Sequence, residues 1–338
     1  MYLGIDIGSV SLNWALLDED LNVVRDRYVR TRGKPLETAI EALDALFEEV
    51  PPSEIEGVAL TGAGTAALGE LYGLKPVNEV VAQAKATARL HPDVRTIIEV
   101  GGEDSKLILL EEDSKTGRLR IRDFAMNTLC AAGTGSFLDQ QATRLGVSIE
   151  KEWGEMALRS VHVPRIAGRC SVFAKSDMIH LQQEGTPDYD IVAGLCFAMA
   201  RNFKAVIGKG KEFHERVAFQ GGVAANAGMI RAFTETLGLE EGELLIPERF
   251  AAMGAIGAVL AAKEAGRLGR IPSTEPLREH IAGREWGGGD LHPQLTDDAY
   301  PITIEPDPFP EGNDPVDIFV GVDVGSISTN VVALDADG

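Results

Sequence analysis

Three glycine turns and two cysteines hold the residues of this sequence that could do chemistry. The first turn, "DIGS" at Asp6–Ser9, closes an apolar run with a carboxylate, a glycine and the hydroxyls of Ser9 and Ser11. Backbone N–H groups of such a turn form an anion nest, and Gly8 lets a phosphate approach the chain. A carboxylate would repel phosphate directly, so the sensible role for Asp6 is to hold Mg²⁺ or its waters. "VGGEDSK" at Val100–Lys106 repeats the arrangement with Gly101, Gly102, Asp104 and Lys106. "QGGVAAN" at Gln220–Asn226 supplies Gly221 and Gly222, against which a planar base or ribose could pack, and then Asn226. Taken singly, each is as well read as a plain hairpin or strand-to-helix turn. All three in this order, each after an apolar strand, argue for a nucleotide.

The cysteines are Cys130, Cys170 and Cys196, too few and too odd in number for a disulfide framework. Cys130 stands just before a glycine turn (Gly133, Gly135) and a predicted helix, and Cys170 stands before a second one. The positive end of a helix favours thiolate, the form that ligates iron or zinc. Without a CxxC or a local set of four, the spacing leaves a plain alternative, that both are small buried residues. Cys196, in "GLCFAMA", is surrounded by apolar residues at helical spacing and reads as core.

The elements that must place these residues follow from hydrophobic period. "YLGIDIG" and "LNWALLD" read as a hairpin, a helix follows over about 36–50, and "GVALTGAG" is a strand ending in a glycine turn. "VRTIIEVGGEDSKLILLEED" is a second strand–turn–strand unit, with an outer strand in "RLRIRDFAMN". Helices are predicted at about 135–145, 172–183 and 191–207, then a strand, turn and helix from Arg216, and last an apolar helix in "AAMGAIGAVLAAKEAG". Two such lobes with a cleft between them make a duplicated α/β fold. The expected division is a first lobe over 1–92, a second over 93–267, a linker rich in Pro, Gly and charge over 268–316, and a new beginning over 317–338.

That beginning is nearly a repeat. "LGIDIGSVSLNWALLDED" from Leu3 returns as "VGVDVGSISTNVVALDAD" from Val320, nine of the eighteen positions being identical. The reading is the start of a second copy of the opening lobe, with this chain as the first part of a longer tandem protein.

A net charge of −20 argues against a broad basic surface for nucleic acid, though not against a small phosphate ligand. No apolar run approaches the roughly 18–20 residues that span a bilayer, and no export segment opens the chain, so the expected location is cytoplasmic. The six histidines show no ligand spacing.

The three turns resemble the phosphate 1, phosphate 2 and adenosine motifs of the actin, sugar kinase and heat-shock chaperone superfamily, over roughly residues 1–265. The implied fold is a duplicated actin-like ATPase with RNase H-like lobes and a nucleotide cleft between them. "LCAAGTGSFLDQQA" and "GRCSVFAKSDMI", together with "DIGS" and "GGEDSK", resemble the activators (component A) of 2-hydroxyacyl-CoA dehydratases and the ATPase subunits of benzoyl-CoA reductases. The resemblance implies ATP or ADP with Mg²⁺ near Asp6 and Asp104. It also implies a 4Fe–4S cluster shared by two ATPase copies, with Cys130 and Cys170 as one copy's half of the ligands. An electron would arrive from ferredoxin or flavodoxin and pass to an iron–sulfur dehydratase or reductase. The partner across the cluster would be the second repeat or an identical subunit. Three positions depart from the family pattern: Asn13 where Lys is frequent, Glu99 where Asp is, and Glu103 where Gln is. The lost Lys and added carboxylate remove positive potential near the phosphates. Two other readings stay open: a small-molecule kinase on the same fold, which leaves both cysteine motifs unexplained, and a nucleotide-binding regulator without catalysis.

Overall fold

The computed structural model describes residues 1–127, 133–167, 171–213, 216–283, 315, 317–324 and 328–335, and Cys130 and Cys170 lie outside them. The first lobe is built on strands β1 (Tyr2–Ile7), β2 (Ser11–Leu17) and β3 (Val23–Arg30), an antiparallel meander. β4 (Gly57–Thr61) adds to β1 in parallel, which gives the order β3-β2-β1-β4. Alternation along β1 sends Leu3, Ile5 and Ile7 into a core with helix α1 (Pro35–Glu49) and leaves Asp6 on the other face. Helices α2 (Ala66–Tyr72) and α3 (Glu79–Leu90) follow; Asn78 caps α3 by accepting from the N–H groups of Val80 and Val81.

The second lobe repeats the plan with β5 (Thr96–Val100), β6 (Ser105–Glu112) and β7 (Leu119–Asn127) antiparallel. β8 (Val217–Gln220) is parallel to β5 and carries the short β9 (Leu244–Leu245), in the order β7-β6-β5-β8-β9. Helices α4 (Gly135–Leu145), α5 (Trp153–Arg159), α6 (Ser171–Gln183), α7 (Asp188–Val206) and α8 (Ala227–Leu237) belong to it. α7 is the hub of this lobe's core, since α4, α5, α6 and α8 all pack on it.

Two expectations about boundaries change. Helix α9 (Met253–Glu264), assigned from the sequence to the second lobe, packs on β1, β2 and β4 of the first and on α3. Its glycines permit this: a Cβ on Gly257 would lie 1.7 Å from the Ala82 carbonyl oxygen, and one on Gly4 would lie 1.9 Å from that of Ala255. The expected linker over 268–316 also starts too early. Gly269 bridges to Val58, Ile271 and Leu277 are buried, and α10 (Glu275–Ala282), with Pro276 in its first turn, packs on α1 and α2. A few well-spaced apolar residues among polar ones sufficed to dock this stretch. Residues 1–283 form one compact unit.

In the second unit, β10 (Phe319–Val324) pairs antiparallel with β11 (Thr329–Leu334), and both strands are exposed along their length. No helix among the described residues is long and apolar enough to cross a membrane.

Candidate functional site

The two hairpin turns are twins in backbone as well as sequence. Asp6 faces Asn13 across β1 and β2, and Glu99 faces Lys106 across β5 and β6, with six residues between the members of each pair. In the first turn Gly8 N–H donates to the Ser11 carbonyl at 2.8 Å; in the second Gly101 N–H donates to that of Asp104 at 3.0 Å. Each acidic residue is also flanked by a parallel strand that ends in a left-handed glycine: Thr61 then Gly62 at φ +95°, and Gln220 then Gly221 at φ +88°. These glycines make room for the carboxylates. A Cβ on Gly62 would lie 2.5 Å from Asp6 Oδ1, and one on Gly221 would lie 2.8 Å from Glu99 Oε1. Gly254 on α9 presses from a third side, its would-be Cβ 2.2 Å from Asp6 Oδ2.

Both turns open into one cleft of about 750 Å³, a size suited to a small-molecule ligand. Asp6, Gly8, Ser9, Ser11, Gly101, Gly102, Asp104, Lys106, Gly135, Gly221, Gly222 and Asn226 all line it. Gly133 does not; its carbonyl accepts from the Ser105 hydroxyl. The Asn226 side chain caps α8, accepting from Gly228 N–H at 3.0 Å and Met229 N–H at 3.3 Å.

Electrostatics distinguish the twins. Lys106 is 2% exposed, and its Nζ lies 2.8 Å from Glu79 Oε2, 2.9 Å from Glu99 Oε2 and 2.8 Å from Asp104 Oδ2. Burial works against its charge, but Glu99, Asp104 and Glu79 together raise its pKa. Asp6 has Asn13 where Glu99 has Lys106. Its pKa is raised from 3.8 to about 7, first by burial and then by Glu79 and Glu99, with Lys106 opposing. Glu99 also rises to about 7 through burial, against the pull of Lys106. The Asn13 Oδ1 atom is buried without a partner.

This donor set suits a cation. Three carboxylates share one ammonium, and an unpartnered amide oxygen stands opposite a fourth, Asp6, which has no lysine across from it. Among the described residues no three His, Cys, Asp or Glu side chains could hold a metal by themselves. An ion here would therefore keep waters or ligand oxygens, as Mg²⁺ does.

Several residues of the site were not picked out from the sequence. Glu79 and Gln83 enter from α3, whose Asn78 cap was the available signal. Gln83 accepts from Gln220 Nε2 at 2.6 Å, which joins the lobes at the cleft floor. Tyr28 and Arg30 line the opposite side from β3. Cys196 takes no part: its Sγ accepts from Trp153 Nε1 at 3.3 Å, and burial pushes its thiol up to about 12.

Known proteins share this arrangement. The chain is 32% identical to the activator of lactoyl-CoA dehydratase of Anaerotignum propionicum over 267 residues, 78% of this chain and 98% of that one. It superposes on component A of the (R)-2-hydroxyglutaryl-CoA dehydratase of Acidaminococcus fermentans with a TM-score of 0.70 and 29% identity, over 78% of this chain and 98% of that one. The activator of the 2-hydroxyisocaproyl-CoA dehydratase from Clostridium difficile, with bound ADPNP, gives 0.66 and 27% over 83% and 97%. Residues 3–262 match the BadF/BadG/BcrA/BcrD ATPase family, and the chain belongs to it.

Proposed function

We propose that this chain is an ATP-driven activator that hydrolyses ATP to push single electrons at low potential into an iron–sulfur dehydratase or reductase. The observation that carries the reading is the pair of twin turns aimed into one anionic cleft. Ser9 and Ser11 from one lobe and Gly102 from the other offer N–H or hydroxyl groups to phosphates, and Gly8 and Gly101, whose own N–H groups close the turns, let the phosphates approach the backbone. Asp6 and Asp104 would hold Mg²⁺, which when bound would supply Lewis-acid stabilisation of the phosphoryl group. Lys106 keeps Asp104 and Glu99 from repelling the phosphates. Gly221 and Gly222 leave open backbone beside the adenosine.

The residues that follow Cys130 in sequence are tied to the second turn. Gly135 N–H donates to the Gly101 carbonyl at 2.9 Å, Ser136 N–H donates to that of Gly102 at 2.8 Å, and Ser105 holds Gly133. Movement of that turn is thus passed to the start of α4, which follows Cys130. On the other side, Ala167 N–H donates to Asp177 of α6 at 2.7 Å, ahead of Cys170, and both α4 and α6 pack on α7. Cys130 and Cys170 would hold a 4Fe–4S cluster together with two cysteines of a second ATPase copy, and that cluster supplies one-electron transfer when bound. The hairpin β10–β11, with Asp323 opposite Asn330 as Asp6 is opposite Asn13, supports a tandem second copy as the partner. Ferredoxin or flavodoxin is the donor in this reading.

Anaerobic purification of the full-length protein tests it. A brown chromophore with about two irons per ATPase copy, lost in Cys130→Ala and Cys170→Ala, is expected, along with phosphate release from ATP that falls in Asp6→Asn. Colourless protein that phosphorylates a small molecule would favour the kinase reading instead.

A further inference from the structure

Edge strand β3 lies over the side of the cleft opposite its floor. Asp26, Tyr28 and Arg30 are two residues apart and so share one face of the strand. Each of them reaches the second lobe. Asp26 Oδ1 accepts from Arg249 Nε at 3.1 Å. The Tyr28 ring rests on Gly222, where a Cβ would come within 3.6 Å of its Cε2, and its hydroxyl hydrogen-bonds Ser11 of the first turn. Arg30 makes a two-pronged pair with Asp139 of α4, both contacts at 3.2 Å, and its Nε lies 2.9 Å from Glu150 Oε1.

The two ends of the Arg30 contact are tied to different turns. Thr31, next in sequence, donates its N–H to the Val10 carbonyl at 2.9 Å and its hydroxyl to that of Ser9 at 2.7 Å. Asp139 sits one helical turn into α4, whose first residues bond the carbonyls of Gly101 and Gly102. A phosphate seated between the turns therefore shifts both partners of the pair. The interlobe contact of Gln83 with Gln220 at the floor is buried, whereas Arg30 and Asp139 are about a third exposed. Partly exposed pairs are weak enough to break and re-form. Opening will thus start at β3 and hinge at the floor.

We propose that β3 is the clasp of the nucleotide cleft and that Arg30 is its positioning residue. Arg30 holds α4, and with it the segment that follows Cys130, to the lobe carrying the first phosphate turn. This rests on the nucleotide reading above. The test is stopped-flow release of mant-ADP with Mg²⁺ from the full chain. Arg30→Ala and Asp139→Asn should each release it about fivefold faster, the scale of one partly exposed ion pair. The exchanged pair Arg30→Asp with Asp139→Arg, made together with Glu150→Gln so that the new carboxylate at position 30 faces no acid, should return release to within about twofold of Glu150→Gln alone, as a restored pair requires and a generally loosened fold does not. Arg25→Ala, which removes an ion pair with Glu49 inside the first lobe, should leave release unchanged. Unchanged release in Arg30→Ala, or in Asp139→Asn should the first variant not fold, overturns the clasp. So does an exchanged pair that releases as fast as the single variants. An unaltered chain that binds no mant-ADP removes the nucleotide reading and the clasp with it.

Discussion

Lys106→Met tests the electrostatics of the cleft most directly. The ammonium touches Glu79, Glu99 and Asp104 at 2.8–2.9 Å while almost wholly buried, and methionine keeps its length but not its charge. Removing one partner of a buried ion pair costs about 3–5 kcal/mol, because the remaining charge is left without compensation. The loss should depend on pH in a stated direction. Asp6 and Glu99 have folded-state pKa values near 7, above their ordinary 3.8 and 4.5. Groups raised in this way bind more protons folded than unfolded, so their stabilising contribution is complete below about pH 4 and declines as pH rises through 7. At pH 5 both are protonated and the ammonium faces fewer charges; at pH 8 it faces all of them. The expected loss in urea unfolding without divalent ions is therefore about 3–5 kcal/mol at pH 8 and about half that at pH 5. Mg²⁺ should recover part of the loss at pH 8. An equal loss at the two pH values, or one below about 1 kcal/mol at pH 8, would refute the reasoning.

Three further outcomes follow from the same geometry. Asn13→Lys places an ammonium across from Asp6 as Lys106 stands across from Glu99; an opposite charge at that range lowers a carboxyl pKa by roughly one to three units. The decline in stability between pH 5 and 8 should shrink accordingly, and thermal melts that keep the original slope would contradict the twin-turn comparison. Gly254→Ala puts a methyl where only 2.2 Å separates it from Asp6 Oδ2, so ATP turnover by phosphate release should fall by at least about tenfold, as expected when a catalytic group is displaced. Cys196→Ala should leave iron content unchanged and cost about 1–2 kcal/mol of stability, and native Cys196 should resist iodoacetamide at pH 8, since its thiol is pushed up to about 12.

The twin turns were legible in the sequence because a strand that ends in an acid, a glycine and a hydroxyl has few other uses, and the second occurrence confirmed the period. The cleft's third side was not. Glu79 and Gln83 lie on a helix whose inward face mixes Val80, Gln83, Ala84 and Thr87, so neither an apolar stripe nor a motif marked it. Gly254 and Gly257 read as ordinary members of an apolar helix, because close approach of two backbones leaves no mark beyond small residues. Arg30 carried no mark in the sequence, where the charged run of β3 was not read as a strand, and only the alternation along that strand puts it with Asp26 and Tyr28. Stretch 269–282 was misread for the converse reason: its Pro, Gly and charge hide two buried anchors, Ile271 and Leu277.

Among the described residues the same cross-strand pairing occurs three times, as Asp6 with Asn13, Glu99 with Lys106 and Asp323 with Asn330. Only the middle pair carries its own cation. A buried carboxylate needs a positive partner or a proton; both Asp6 and Glu99 have pKa values near 7, but only Glu99 also has a lysine across from it. In the Asp6 pair a cation must come from outside. Under the proposed function, a phosphate ligand that brings a divalent ion would supply that charge on binding, and Asp6 would then give up its proton. Asparagine in place of lysine thus makes occupancy of the first turn depend on the ion more strictly than occupancy of the second. The difference has a direct reading: nucleotide affinity in the Asn13→Lys variant should respond less to Mg²⁺ than in the unaltered chain, and an identical Mg²⁺ dependence in both would show that Asp6 does not take its charge partner from the ligand.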